Sequence, residues 1–242
     1  MKNYVSYAAL AVAITVASPA YAQVFSGPYV GASAGINAGH TSTQDYWCDA
    51  ACDAPSNSGV DLAGGINLGF NHQIDENFVI GLEADLSTGF KDTDRTVDSS
   101  SCCSDYVYNW NTNLRWISTI RARAGLAVNK SMFYMTGGLA LTGARLSQVT
   151  TTNANYTDYG AHFNGTLMGY ALGGGIEHAV SDHISVKAEF MHDSFGKKRG
   201  CYMDLEGSDA GVCWNAGDPG MDDYVAWQPS VNTARIGFNY RF

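Results

Sequence analysis

From Tyr29 onward the chain falls into eight stretches of roughly ten residues in which apolar and small or polar residues alternate strictly. Such a period of two makes strands whose two faces meet different surroundings. No 3.6-residue period competes in these windows, so helix is the weaker alternative for them. The stretches run 29–39, 60–71, 78–89, 114–128, 133–143, 167–179, 184–192 and 231–242. In the first, Val30, Ala32, Ala34, Ile36 and Ala38 oppose Gly31, Ser33, Gly35, Asn37 and Gly39. In the fourth, Trp116, Ile120, Ala122, Ala124 and Leu126 oppose Arg115, Thr119, Arg121, Arg123 and Gly125.

The connections alternate too. Residues 73–77, 129–131 and 180–183 are short, whereas 40–59, 90–113, 144–166 and 193–230 are long. A soluble sandwich buries its apolar face and has no reason to sort its loops by length. An even number of strands, with short turns at one end and long loops at the other, fits an all-β, eight-stranded antiparallel up-and-down transmembrane barrel. In such a barrel the turns are periplasmic and the loops extracellular. After the first 22 residues no stretch reaches the roughly 20 apolar residues of a transmembrane helix.

The charges within the strands share the Gly-rich face: Glu83, Asp85, Arg121, Arg123, Glu177, Lys187, Glu189, Arg235 and Arg241. An eight-stranded barrel is just wide enough for its side chains to fill it. Charges crowded there must pair, because an unpaired buried ion is costly. The expected interior is therefore an ion network that plugs the barrel, with Tyr134 helping to fill it. Tyr29, Trp110, Trp116, Tyr170 and Trp227 fit either an aromatic girdle or ordinary packing.

The first residues read as an address. Lys2 precedes an apolar run from Ala8 to Ala17 broken only by Thr15, followed by Ser18-Pro19 and Ala20-Tyr21-Ala22. This is the pattern of a secretory signal peptide over residues 1–22, cleaved between Ala22 and Gln23, with the barrel domain at 23–242. The 14 Lys and Arg against 23 Asp and Glu give a net charge of −9, with no basic footprint for nucleic acid.

At this point the ordered segments resemble a family. Phe25-Ser26-Gly27-Pro28-Tyr29-Val30-Gly31 is followed by Gly81-Leu82-Glu83-Ala84-Asp85-Leu86 and Arg121-Ala122-Arg123-Ala124-Gly125. Tyr134-Met135-Thr136-Gly137-Gly138-Leu139-Ala140, Gly173-Gly174-Gly175-Ile176-Glu177, Val186-Lys187-Ala188-Glu189-Phe190 and Arg235-Ile236-Gly237-Phe238-Asn239-Tyr240-Arg241-Phe242 come after. Together they resemble the small outer-membrane β-barrels of Gram-negative bacteria, of the opacity-protein and OmpA-transmembrane-domain kind, often labelled "porin family". The resemblance implies the cell outer membrane as location and outer-membrane lipid as surroundings. Phe238, Tyr240 and Phe242 are expected to form a C-terminal signal for the barrel-assembly machinery. Activity is less constrained, since members are described as envelope structural proteins, adhesins, haemin binders and small pores.

The cysteines depart from the usual family pattern. Cys48 and Cys52 lie in the first long connection, Cys102 and Cys103 in the second, Cys201 and Cys213 in the fourth. An exported chain favours disulfides over metal, and no His stands at finger spacing from the Cys-x-x-x-Cys pair. Cys201–Cys213 is the best single pair. Cys102–Cys103 would close a strained ring, so a link across to Cys48 or Cys52 is the alternative. The fourth connection also carries Tyr202, Trp214, Tyr224 and Trp227, an expected platform for an extracellular ligand such as haemin or a host surface.

Enzyme chemistry finds little support. His192-Asp193-Ser194 holds relay residue types, but neighbours on a strand point to opposite faces. The remaining His are dispersed, and no nucleophile elbow, zincin or P-loop motif is present. No cofactor or metal site is expected. The leading reading is a non-catalytic envelope protein with a charge-filled interior and disulfide-stapled loops. The alternatives are a narrow channel for ions or small solutes, and a surface receptor or adhesin.

Overall fold

The fold is described from a computed structural model, over residues 25–45, 57–98, 106–152, 159–205, 213 and 224–242. The strands are β1 (Gly27–Asp45), β2 (Asn57–Gln73), β3 (Phe78–Asp98), β4 (Tyr106–Val128), β5 (Ser131–Thr152), β6 (Tyr159–Ala179), β7 (Ile184–Phe195), β8 (Lys198–Asp204) and β9 (Tyr224–Arg241). β1 to β7 pair in order with antiparallel neighbours, β7 pairs β9, and β9 returns to β1 along the register Tyr29↔Arg241 to Asp45↔Val225. The result is a closed ring of eight strands. Closure matters because an open edge cannot stand in lipid, where no water satisfies its backbone groups.

β8 is an addition that alternation does not announce. β7 stops at Phe195, while β6 and β9 continue past it. β8 fills the gap by pairing Lys198–Cys201 with β9 and Tyr202–Asp204 with β6. It patches the wall above β7, and so does not alter the count of the ring.

The turns at 74–77, 129–130 and 180–183 stay short. Ile74 N donates to Phe78 O at 2.8 Å and Val180 N to Ile184 O at 2.8 Å. Asn129 takes the left-handed conformation, φ 56°, which Asn tolerates better than most residues. At the other end β3 to β6 run 21 to 23 residues each. At about 3.3 Å per residue that is roughly 70 Å of strand, whereas a tilted strand crosses a bilayer in about 9–11 residues. The wall therefore continues well beyond any membrane, and much of what reads as long loop is strand.

The outward face carries the apolar belt. Leu62 is 83% exposed, Met135 76% and Ile236 71%. Toward the loops the outward positions turn polar at His40, Thr88, Arg145, Asn164 and Asn232; toward the turns they do so at His72, Lys130, His178 and His183. Between these two rings the exposed outward side chains are mostly apolar.

One expected face assignment is corrected. The β4–β5 register slips between Leu114 and Ile117, so three steps on β4 oppose two on β5. This bulge places Leu114 and Ile117 both inside, and leaves Arg115 exposed on the outer wall rather than on the inner face.

Candidate functional site

The interior of the ring is the place where charge, burial and shape converge, and it is built in three layers. At the turn end Phe25, Val79, Ala127, Met132, Tyr134 and Ala179 form an apolar floor. Above it lies an ionic layer. Above that Phe90, Leu114, Ile117, Met191, Phe195, Trp227 and their neighbours form a larger apolar layer toward the loops.

Strand parity explains the ionic layer. Glu83 and Arg121 are directly opposite on β3 and β4, Glu177 and Lys187 on β6 and β7, and Glu189 and Arg235 on β7 and β9. Their side chains point inward in register and meet across the lumen. Arg121 Nη2 lies 2.5 Å from Glu83 Oε1 and 2.7 Å from Asp85 Oδ2, and Nη1 is 3.4 Å from Glu189 Oε1. Arg123 reaches Glu177 at 2.9 Å and Glu83 at 3.4 Å; Lys187 reaches Glu83 at 3.1 Å. Arg235 pairs with Glu189 and, at 3.4 Å, with Asp85, while Arg241 lies 3.5 Å from Glu177. All nine of these charges thus belong to one connected network, and the side chains of Arg121, Glu83, Glu189 and Lys187 are fully buried.

Neutral groups complete it. Tyr29 donates to Glu83 at 2.9 Å and accepts from Arg123 at 2.6 Å. Tyr134 donates to Glu189 at 2.7 Å, and the Arg123 guanidinium lies 3.9 Å from the centre of the Tyr134 ring. Thr119 donates to Asp85 and Ser185 to Glu177. A Cβ at Gly69 would lie 2.4 Å from the Tyr29 ring, so the bare backbone there gives the phenol its space.

Sequence reasoning missed one member. Asp193 continues the inward parity of β7 and is 4% exposed just above the network, with no ion pair among the described residues. Among the described residues it raises the buried acids to five, matching the five buried bases. The signal was available, since 185, 187, 189, 191 and 193 share one face. His192 points the other way and bonds Asn232 at 2.8 Å, so the two do not form a relay.

The aromatics divide by face. Tyr29, Trp110, Tyr134 and Trp227 are buried inside, while Tyr170 and Tyr240 stand outside with Phe238 and Phe242. Tyr240 stacks on His183 and meets Phe242 edge to face. The expected aromatic platform is corrected for two of its members: Tyr202 and Trp227 are 0% and 1% exposed, turned into the upper apolar layer, whereas Tyr224 is half-buried with the Arg199 guanidinium 4.3 Å from its ring centre. Trp214 lies outside the described residues.

Residues 8–242 match the family model for the outer membrane protein beta-barrel domain. The chain belongs to that family. This barrel is similar to the 31 kDa outer-membrane immunogenic protein of Brucella melitensis, 26% identical over 182 residues, which are 75% of this chain and 66% of that one. It is also similar to the 22 kDa outer membrane protein of Rhizobium leguminosarum, 27% identical over 137 residues, 57% of this chain and 54% of that one. The match thus spans about two thirds of the Brucella protein's length and about half of the Rhizobium protein's. Among solved structures it is similar to OprG of Pseudomonas aeruginosa, at 10% identity, 90% coverage of this chain and 97% of the other, TM-score 0.49. OmpT, an outer membrane protease of Escherichia coli, stands at 11%, 89%, 97% and 0.48. The barrel is an outer-membrane protein.

Cys201 and Cys213 form a disulfide with Cα atoms 5.5 Å apart, beside the bridge between Met203 and Cys213. Cys48, Cys52, Cys102 and Cys103 lie outside the described residues. The Cys201–Cys213 link joins β8, which is an addition to the ring, to Cys213, and neither cysteine lies in one of the eight ring strands. The double variant Cys201→Ser/Cys213→Ser is therefore expected to keep the heat-modifiable gel mobility of a folded barrel. Proteolysis between 205 and 223 should become faster. A loss of the folded band would show that the link supports the ring.

Proposed function

We propose that this outer-membrane barrel is a non-catalytic envelope protein with a plugged interior, which carries a wall and loops above the membrane as its working surface. The observation that carries this reading is the layered lumen, a buried and charge-balanced ion network between two apolar layers. A conducting pore needs a continuous wet path, and a path through paired ions must break pairs whose desolvation has already been met. Among the described residues the buried charges, five acids and five bases, also give the network no excess sign to attract or select an ion.

The upper layer excludes water where a solute would enter, and the wall of β3 to β6 lifts the loops clear of the bilayer. Surface contacts are then made by the loops, and burial of Tyr202 and Trp227 removes them as an aromatic platform. Residues 1–22 act in this reading as a leader cut between Ala22 and Gln23, so N-terminal sequencing of the mature protein should begin at Gln23. The outward Phe238, Tyr240 and Phe242 are available in the unclosed last strand for the barrel-assembly machinery to read.

The experiment is solute entry. Vesicles carrying the folded protein, shifted into an isotonic solution of a small sugar or amino acid, should swell no faster than protein-free vesicles. Swelling that falls with solute size would replace the plug by a pore.

A further inference from the structure

The outer wall is irregular in one place. The β2–β3 ladder stops at Gly65↔Ser87, while β3 continues on β4 as far as Asp98. Beyond that point the two strands separate, and side chains take up the freed backbone groups. Gly64 N donates to Thr88 Oγ1 at 3.0 Å, and Lys91 N to Asp61 Oδ2 at 2.7 Å. Asn37 Nδ2 donates to the carbonyls of Thr88 and Gly89. One strand further on, the bulge between Leu114 and Ile117 turns Arg115 and Trp116 away from the lumen.

Together the separation and the bulge open a groove of about 750 Å³ on the outside of the barrel, with Gly64, Gly65, Ile66, Leu86, Arg115 and Trp116 among its walls. A Cβ at Gly64 would meet nothing within 4 Å, so this wall is bare backbone facing open space. At the neighbouring Gly143 a Cβ would lie 2.6 Å from the Trp116 indole nitrogen and 3.4 Å from the Arg115 guanidinium. Both side chains therefore lie across bare backbone, and Arg115 reaches on to Asn164 Oδ1 at 3.5 Å. Arg145 stands two residues along the same outward face, exposed and in register with Asn164. Among the described residues neither arginine has a carboxylate within ion-pair distance.

We propose that this corner of the wall binds a phosphorylated, acylated lipid of the outer leaflet, its phosphate between Arg115 and Arg145 and one acyl chain in the groove. The depth is right: the arginines stand in the polar ring that ends the apolar belt on the loop side, level with lipid headgroups, and the groove runs from them into the belt. The chemistry is right as well, since a guanidinium fork matches phosphate oxygens and an indole favours the interface. A lipid also covers Gly64 and Gly65 where the sheet has lost its neighbour strand. The inference rests on the outer-membrane location and is independent of whether the lumen conducts.

The test is native mass spectrometry of the folded mature protein in detergent, titrated with diphosphoryl lipid A. The wild type should retain one lipid. Arg115→Gln/Arg145→Gln should weaken retention about ten-fold or more, a change of roughly 1.4 kcal/mol. Gly64→Phe, which fills the groove and leaves both arginines, should weaken it similarly. Both variants change outward positions, and heat-modifiable mobility reports their folding independently. Millimolar inorganic phosphate should not displace the lipid. Equal retention by the variants, or displacement by inorganic phosphate alone, would overturn the proposal.

Discussion

Arg121→Ala is expected to destabilise the folded barrel by roughly 3–5 kcal/mol, the cost of leaving buried charge without its partner. The guanidinium is fully buried and touches Glu83, Asp85 and Glu189 at once. Its removal leaves five buried acids facing four buried bases among the described residues. Urea unfolding of the protein in phospholipid vesicles measures the change. A loss of about 1 kcal/mol or less would mean that the pairs are solvated as at a surface, hence that the lumen is wet. Glu83→Gln in the same background discriminates further. If the two charges act as a pair, the double variant should lose less than the sum of the singles, by about 0.5–3 kcal/mol.

The second large effect concerns the other face. Leu139 is 60% exposed on β5, midway between Phe133 and the polar Arg145. In water an exposed Leu→Arg substitution on a strand changes stability by about 0.5 kcal/mol or less. In a bilayer an arginine near the midplane costs roughly 2–4 kcal/mol, falling toward zero at the interfaces. Leu139→Arg should therefore cost several times more than the same substitution at Val128, which is 55% exposed at the turn-side end of β4. Equal costs at the two depths would contradict a lipid-facing belt.

The ring of strands was legible because lipid outside and charge inside impose opposite demands on successive residues. The same logic explains what was not. Above the membrane the demands exchange places: Trp110, Leu114, Leu146 and Trp227 point inward, while Arg145 and Ser147 point out. Alternation continues there with its sense reversed, and the stretches 106–113 and 144–152 read as polar loop although they are wall. The bulge after Leu114 hides the join, because one extra residue reverses parity and puts Arg115 on the face opposite to the one its neighbours suggest. β8 was hidden for another reason. Seven residues, two of them lysine and arginine beside a glycine, carry no period long enough to read, and their place is set by the gap above β7.

The ionic site was legible as a list of residues and not as a set of contacts. Parity placed the nine charges on one face, but which acid meets which base depends on register, and register is set by the turns and by closure of β9 onto β1. Asp193 escaped because it sits next to His192 and Ser194, a triplet that draws attention to catalytic chemistry. Its meaning comes from Glu189 and Met191 below it on the same face.

The most direct measurement of the central claim is current. Mature protein refolded and inserted into a planar bilayer in molar potassium chloride should leave the conductance at the level of the protein-free membrane. Arg121→Ala, if it inserts, should add at most brief flickers while the two apolar layers remain. Steady, voltage-independent open steps from the wild type would contradict the account, since they require a continuous water path past Arg121 and through the Phe90–Trp227 layer.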